Sequence, residues 1–327
     1  MRPFAYARAG SADDAVAAVS QNGAAAFLAG GTNIVDLIKI DVAHPATLVD
    51  IGSLPLAAID ALPDGSVRIG ALAKMSDTAD NAAVRAGAPA VSMALNLSAS
   101  AQLRNMATIG GNVLQRTRCV YFRDVTQACN KRRPGSGCAA IGGDDRKMAI
   151  LGTSERCIAV NPSDFSVAML VTDATIHLHG PSGERTTPFL GFHRLADDPS
   201  RDTNIGPGEL ITAISFSPTA LTRNSTYLKV RDRASYEFAL VSVAAALEVR
   251  NGQILDARVA LGGVAHAPWR ARDAEAALVG RQAALTTYAA AAEVELRGAK
   301  ARRLNGFKIG LARNAMMRAL AAVGGAA

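Results

Sequence analysis

The apolar and polar positions at the start of the chain predict a β-loop-α-β unit. A helix capped by Ser11 precedes an apolar strand at 24–29, which breaks at the glycine turn 30–33. A helical pattern at 34–40 then leads to a strand at 47–51. A Gly-Gly turn at the start of a helix offers backbone N–H groups to a phosphate, although a tight turn without a ligand has the same pattern.

The pattern then predicts a short strand pair around 63–65 and two helical stretches, the second at 90–106. This stretch runs into a second glycine turn at 108–112, with the sequence Thr-Ile-Gly-Gly-Asn. Two such turns favour a ligand the size of a pyrophosphate between them. An apolar run at 165–176 predicts a buried helix that leads into a strand.

The C-terminal part has one strong local signal, an Asn251-Gly252 turn between alternating strands at 240–249 and 254–261. Asn-Gly is the residue pair that a two-residue hairpin turn favours. Before it we predict a polar loop at 190–208 and a strand at 209–216. Helices are predicted at 273–278, 287–296 and 305–323.

Composition describes an ordinary globular protein. Of 327 residues, 49% are hydrophobic and 19% are charged, and 35 basic against 28 acidic residues give a net charge of +7. This balance fits an acidic partner or an anionic cofactor. An aromatic content of 5% argues against a stacking surface for nucleic acid. We expect no membrane insertion, because no apolar run reaches about 18 residues, and no secretion signal at the N-terminus.

All four cysteines, Cys119, Cys129, Cys138 and Cys157, lie between the second glycine turn and the turn 161–164. Nine, eight and eighteen residues separate them, whereas structural zinc sites gather their ligands in closely spaced pairs. Separated thiolates in a loop rich in glycine and arginine favour a [4Fe–4S] cluster. Zinc and four free buried cysteines stay open as alternatives.

Eight basic residues lie beside the cysteines and would offset the charge of a four-thiolate cluster. They are Arg116, Arg118, Arg123, Lys131, Arg132, Arg133, Arg146 and Lys147.

Motifs along the whole chain resemble those of the FAD-binding (medium) subunits of the xanthine dehydrogenase family of molybdenum hydroxylases. They are Ala29-Gly-Gly-Thr-Asn33, Thr108-Ile-Gly-Gly-Asn112, Pro162-Ser-Asp164, and Leu261-Gly-Gly-Val-Ala265 with Pro268-Trp-Arg270. The cysteine-containing stretch narrows this resemblance to one branch of the family. That stretch is similar to the one in the flavin subunit of bacterial periplasmic aldehyde oxidoreductases, which carries a [4Fe–4S] cluster.

The resemblance implies an α+β fold. A two-part FAD-binding domain of the vanillyl-alcohol-oxidase and CO-dehydrogenase-flavoprotein type would occupy residues 1–217, with subdomains at about 1–55 and 56–217. A [4Fe–4S] insertion would lie at about 116–158. A C-terminal α/β domain, with a three-stranded antiparallel sheet and helices, would occupy residues 218–327.

The resemblance also implies roles for individual residues. One group would wrap the FAD pyrophosphate and ribityl chain: Phe27, Leu28, Ala29, Gly30, Gly31, Thr32, Asn33 and Ile34. A second group, Thr108, Gly111 and Asn112, would complete the phosphate cradle.

Three further residues would lie near the flavin. Asp164 would bond the sugar or ribityl hydroxyls; without a flavin it would be a helix N-cap. Lys229 would lie near the isoalloxazine and stabilise the reduced anionic flavin, and Tyr236 would cover the ring. The four cysteines would ligate the cluster, and no residue of this chain would be catalytic.

The implied function is electron transfer within a molybdenum-dependent aldehyde oxidoreductase. A large subunit would hold the molybdenum cofactor, a small subunit would hold [2Fe–2S] clusters, and this chain would pass electrons to an external acceptor, for instance a ferredoxin-like protein. The complex would be cytoplasmic, or periplasmic if exported with a partner that carries a twin-arginine signal.

Four alternatives remain open. Two keep the family: a flavin subunit of a xanthine dehydrogenase, or of a 4-hydroxybenzoyl-CoA reductase. The third is a self-contained flavin reductase or oxidase. The fourth is a zinc-stabilised basic module that binds nucleic acid, and it predicts steeply salt-dependent affinity for DNA.

Overall fold

The structure is a computed structural model that describes residues 1–325. Its strands are β1 (Ala5–Arg8), β2 (Ala25–Leu28), β3 (Thr47–Asp50), β4 (Ile59–Ala61), β5 (Val67–Gly70), β6 (Thr175–Gly180), β7 (Gly183–Pro188), β8 (Leu210–Phe216), β9 (Ser225–Val230), β10 (Val241–Arg250), β11 (Gln253–Gly262) and β12 (Trp269–Arg270).

The helices follow the same order along the chain. They are α1 (Ala12–Gln21), α2 (Ile34–Lys39), α3 (Met75–Asp80), α4 (Ala82–Gly87), α5 (Pro89–Leu97), α6 (Ala101–Arg104), α7 (Ile109–Val113), α8 (Val120–Arg123), α9 (Asp164–Leu170), α10 (Ala220–Arg223), α11 (Arg272–Leu278), α12 (Leu285–Glu295) and α13 (Phe307–Gly324). None of the helices within residues 1–325 is both long enough and apolar enough to cross a bilayer.

The first sheet is parallel, in the order β1-β3-β2. The predicted unit of two strands and two helices is confirmed, and Ser11 caps α1 by accepting the amide of Asp14 at 3.0 Å. The sequence pattern missed β1, because all four of its residues are exposed and show no apolar alternation. The first glycine turn, residues 29–33, connects β2 to α2.

The second sheet is antiparallel, in the order β4-β5-β8-β6-β7. Helices α3, α4, α5 and α9 share one apolar core with it. The single helix predicted at 90–106 is wrong, because it divides into α5 and α6. The break falls at Ser98-Ala99-Ser100, where Ala99 has φ +49° and the Ser100 hydroxyl caps α6.

The third sheet is antiparallel, in the order β12-β11-β10-β9, and packs against α11, α12 and α13. The predicted hairpin forms, with φ of +51° at Asn251 and +75° at Gly252, as a type I′ turn requires. The three predicted strands are present, and the two-residue β12 adds a fourth. The predicted α+β class with an antiparallel C-terminal sheet is confirmed.

Residues 116–158, here named the cysteine segment, have little regular structure, and α13 holds one end of them. Lys308 of α13 is fully buried and donates to the carbonyl oxygens of Met148, at 2.8 Å, and of Gly263. Burial lowers the pKa of Lys308 to about 7, with the nearby charge of Arg146 as a smaller cause. Asn305 adds a bond to the carbonyl of Ala149 at 3.1 Å. The C-terminal helix therefore ties the cysteine segment to the third sheet.

Candidate functional site

The first glycine turn packs so closely against the opposite wall that it leaves no room for a side chain. A Cβ atom on Gly30 would lie 2.0 Å from the carbonyl oxygen of Met106, and Gly31 has φ +73°. The amides of residues 30–33 donate to no protein acceptor within residues 1–325. These four amides are therefore available to an anionic ligand.

Asn33 adds an unsatisfied donor to this turn. Its Oδ1 accepts the amide of Arg116 at 3.2 Å, whereas its buried Nδ2 has no partner. Buried polar atoms are rarely left without a hydrogen bond in a folded protein. The turn thus has the donors that a phosphate-containing cofactor would use.

The second glycine turn is the start of a helix rather than a loop. Thr108 is the N-cap of α7, and its Oγ1 accepts the Gly111 amide at 3.3 Å. The amide of Gly110 donates to Ala71 O at 2.8 Å. Two of the N–H groups expected from this turn are therefore already bonded, while the Asn112 carboxamide accepts the Ser163 hydroxyl at 2.6 Å.

The two glycine turns line a cleft made of two cavities, of about 300 and about 500 Å³. Thr32, Asn33 and Gly111 line both cavities. Eight other predicted cofactor-binding residues line one of them: Phe27, Ala29, Gly30, Gly31, Ile34, Thr108, Asn112 and Asp164. Leu28 and Lys229 line neither. Tyr236 lines the larger cavity, with 54% of its surface exposed.

Asp164 and Lys229 form one buried ion pair. Lys229 Nζ lies 2.7 Å from Asp164 Oδ2, and the two side chains are 1% and 5% exposed. Tyr227 Oη donates to Oδ1 at 2.6 Å and Ser98 Oγ to Oδ2 at 2.9 Å. Ser163, not Asp164, caps α9. The charge of Lys229, predicted to lie near the isoalloxazine, is therefore already paired with a carboxylate.

Sequence reasoning missed Tyr227 and Ser98 as partners of this carboxylate. Burial, and then the Asp164 charge, raise the pKa of Tyr227, so the phenol remains a donor. Tyr227 and Lys229 are two residues apart on β9, and a strand places such residues on one face. That spacing was a usable signal, whereas nothing near Ser98 in the sequence pointed to Asp164.

The structure brings the four cysteines together as free thiols. Cys119 packs into three small apolar clusters, and each cluster includes or borders one of the other three cysteines. Cys129 and Cys138 also face each other as an antiparallel bridge pair. Within residues 1–325, no group of three or more His, Cys, Asp or Glu side chains is arranged to hold a single metal ion.

Burial raises the pKa of two of these thiols, that of Cys119 and that of Cys157, the latter to about 11. Negative charge on neighbouring cysteines contributes to both shifts. Without a bound metal these two thiols therefore stay protonated and are poor nucleophiles. Four cysteines are the donor set of many iron–sulfur clusters, which bind them as thiolates.

Six of the eight basic residues beside the cysteines form ion pairs, but they share three aspartates, so positive charge stays in excess beside the cysteines. The pairs are Arg118 and Arg123 with Asp36, Arg116 and Lys131 with Asp202, and Arg146 and Lys147 with Asp232. Lys131 still acts on a thiol, since its charge opposes the rise in the pKa of Cys157.

Asp202 is the partner that keeps Lys131 buried in the cysteine segment. The Lys131 side chain is 1% exposed, and its Nζ contacts Asp202, His266 Nε2 and the Pro199 carbonyl. Burial alone would raise the pKa of Asp202, but the charges of Lys131 and Arg116 outweigh it and lower that pKa. Asp202 lies in the loop 190–208, which is correctly predicted as a loop but is partly buried.

Comparison with known proteins gives matches over nearly the whole chain. The family model described as the FAD binding domain in molybdopterin dehydrogenase matches residues 2–219. The model of the CO dehydrogenase flavoprotein C-terminal domain matches residues 226–323.

Individual relatives agree with these models. The aldehyde oxidoreductase FAD-binding subunit PaoB of Escherichia coli K12 is 44% identical over 98% of both chains. The glyceraldehyde dehydrogenase medium chain of Sulfolobus acidocaldarius is 29% identical over 85% of this chain and 82% of its own. A carbon monoxide dehydrogenase from Hydrogenophaga pseudoflava has a similar fold, with TM-score 0.77 and 26% identity over 99% of this chain and 98% of that chain.

Replacement of Gly30 by alanine tests the first glycine turn. The added Cβ would collide with the Met106 carbonyl, so the cleft must widen. We expect FAD affinity to fall by about tenfold or more, equivalent to about 1.4 kcal/mol or more. Flavin fluorescence titration measures it. Gly23→Ala is the control, because a Cβ at Gly23 meets no atom within 4 Å; equal affinity of the two variants would contradict the assignment.

Replacement of Asp202 by alanine tests the buried pair with Lys131. Leaving a buried charge without its partner typically costs about 3–5 kcal/mol of unfolding free energy. The folded state lowers the pKa of Asp202. The difference in unfolding free energy between wild type and variant is therefore full above the ordinary pKa of 3.8, and it is lost as pH falls through the folded-state pKa.

Urea unfolding at several pH values measures the Asp202 effect. Asp198→Ala, in the same loop but with a half-buried side chain that binds Ser200 and no buried cation, is the control and should change stability much less. A pH-independent loss in Asp202→Ala would show that the ion pair is not its cause.

Proposed function

Since this chain belongs to the family of FAD-binding subunits of the molybdenum hydroxylases, we propose that it is the electron-transfer subunit of a molybdenum-dependent aldehyde oxidoreductase. It carries FAD and a [4Fe–4S] cluster, and electrons from partner [2Fe–2S] centres leave through it to an external acceptor. The 44% identity to an aldehyde oxidoreductase subunit supports this branch over the xanthine dehydrogenase branch, where a relative is 25% identical.

The residues of the cleft suit FAD. Residues 30–33 supply free amides and the unsatisfied Asn33 donor for the pyrophosphate, and Thr108, Gly111 and Asn112 form the opposite wall. Asp164 faces the cleft and accepts ligand hydroxyls, while its ion pair with Lys229 fixes the orientation of the carboxylate. FAD supplies the redox chemistry when bound, and the protein supplies position and electrostatics.

Cys119, Cys129, Cys138 and Cys157 are the ligands that we assign to the cluster. The observation that carries this proposal is a third cavity, of about 460 Å³, which is lined by both Cys119 and Asp164. The cysteine segment and the FAD cleft therefore share a wall. This adjacency of the two proposed cofactor sites is what supports electron transfer between them.

The partners in this proposal are a large molybdenum-cofactor subunit and a small [2Fe–2S] subunit, and a ferredoxin-like protein is one acceptor of suitable chemistry. We keep residues 1–217 as the FAD-binding part, with the cysteine segment inserted in it, and residues 218–327 as the C-terminal part. The self-contained flavin reductase or oxidase and the zinc-stabilised nucleic-acid module gain no specific support from the site.

Replacement of Cys119 by serine tests the proposed function. The full chain, purified without oxygen, should lose most of its iron and sulfide yet still bind FAD supplied in excess, because Cys119 does not line the cavities of the FAD cleft. Metal analysis and the absorption spectrum measure both cofactors. Val120→Ala, at a neighbouring residue that is 60% exposed, is the control. Unchanged iron in Cys119→Ser, or zinc in its place, would refute the cluster.

A further inference from the structure

One carboxylate joins the first glycine turn to the turn of chain that carries Cys119. Asp36 lies on α2, the helix that begins directly after the glycine turn. Its Oδ2 accepts Arg118 Nη1 at 2.7 Å and Arg123 Nη1 at 2.8 Å, and its Oδ1 accepts Arg123 Nη2 at 2.9 Å. A bidentate arginine–carboxylate pair fixes orientation as well as distance.

The two arginines lie on either side of Cys119 along the chain. Arg118 precedes it, and Arg123 ends the helix α8, of which Cys119 is the N-cap. The amide of Arg123 donates to the Cys119 carbonyl at 3.1 Å. Asn33, within the glycine turn, binds the amide of Arg116 at 3.2 Å. The stretch of chain from Arg116 to Arg123 thus lies against the FAD-binding turn and its helix.

Solvent does little to weaken this contact. The side chains of Asp36, Arg118 and Arg123 are 32%, 27% and 24% exposed, and all three line the larger cavity of the FAD cleft. Any shift of α2 that accompanies FAD binding therefore also moves Asp36 and, through it, the two arginines beside Cys119. Conversely, a cluster bound to Cys119 would restrict the movement of these arginines and, through Asp36, of α2.

We propose that Asp36 is a positioning residue that couples the two cofactor sites, so that bound FAD strengthens cluster binding and a bound cluster strengthens FAD binding. The inference rests on the proposed function, since it needs both cofactors. Coupling of binding sites is reciprocal, and its usual size corresponds to about 5- to 150-fold in affinity.

The test compares FAD affinity in two forms of the full chain, one with its cluster and one whose iron has been removed by oxidation and chelation. Flavin fluorescence gives the dissociation constant for each form. In wild-type protein, loss of the cluster should weaken FAD binding by about 5-fold or more. In Asp36→Asn the two constants should be nearly equal, because the charge that holds both arginines is gone.

A matched control is available five residues away. Asp41 also binds an arginine through both carboxylate oxygens, Arg2 at 3.0 Å for each bond, but neither residue lines the FAD cleft or binds the arginines beside Cys119. Asp41→Asn should keep the wild-type ratio. Arg123→Gln removes the bidentate pair from the other side, and it serves if Asp36→Asn fails to fold.

The outcomes separate the two proposals. If wild-type protein binds FAD and the cluster but its FAD affinity is the same in both forms, the coupling is overturned and the proposed function stands. If Asp36→Asn and Arg123→Gln both keep the wild-type ratio, the coupling exists without Asp36, which also overturns the assignment. If no preparation contains iron, both proposals fail together.

Discussion

Two buried lysines hold the buried parts of the irregular cysteine segment against the rest of the protein. Lys131 belongs to the cysteine segment and reaches Asp202, whereas Lys308 belongs to α13 and reaches backbone carbonyls of that segment. Irregular backbone is normally at the surface, because its polar groups need partners. Here the two lysine side chains and the Asn305 carboxamide bind carbonyl oxygens, next to two buried and two partly exposed cysteines. Burial affects the two lysines differently, because Lys131 is paired with Asp202 whereas the pKa of Lys308 falls to about 7.

This arrangement places the cysteines against the FAD cleft. The first glycine turn lines one part of the cleft, and Asp164, paired with Lys229 behind it, lines the larger cavity. Each of three aspartates near the cysteines binds two basic side chains, so this region keeps an excess of positive charge. A redox group in such a site would be governed by burial and by a few fixed charges, Lys131 among them.

Much of the fold could be predicted from the sequence, because its signals are local. The Ser11 cap, the Asn251-Gly252 hairpin and the glycine turn each depend on a few adjacent residues. The break between α5 and α6 could not be predicted, because nothing in the sequence around Ala99 indicates a positive φ. The pairing of Asp36 with Arg118 and Arg123 could not be predicted either, since these residues are more than 80 positions apart. The motifs identified the FAD cleft, while its internal hydrogen bonds required the structure.

The most direct test of the central claim is the ratio of iron and sulfide to FAD in the full chain, purified without oxygen and free of partner subunits, with an electron paramagnetic resonance spectrum after reduction. The account predicts about four iron and four sulfide for each FAD, and a signal typical of a reduced [4Fe–4S] cluster. FAD without iron, or zinc in place of iron, would contradict it and leave the four enclosed cysteines with a purely structural role.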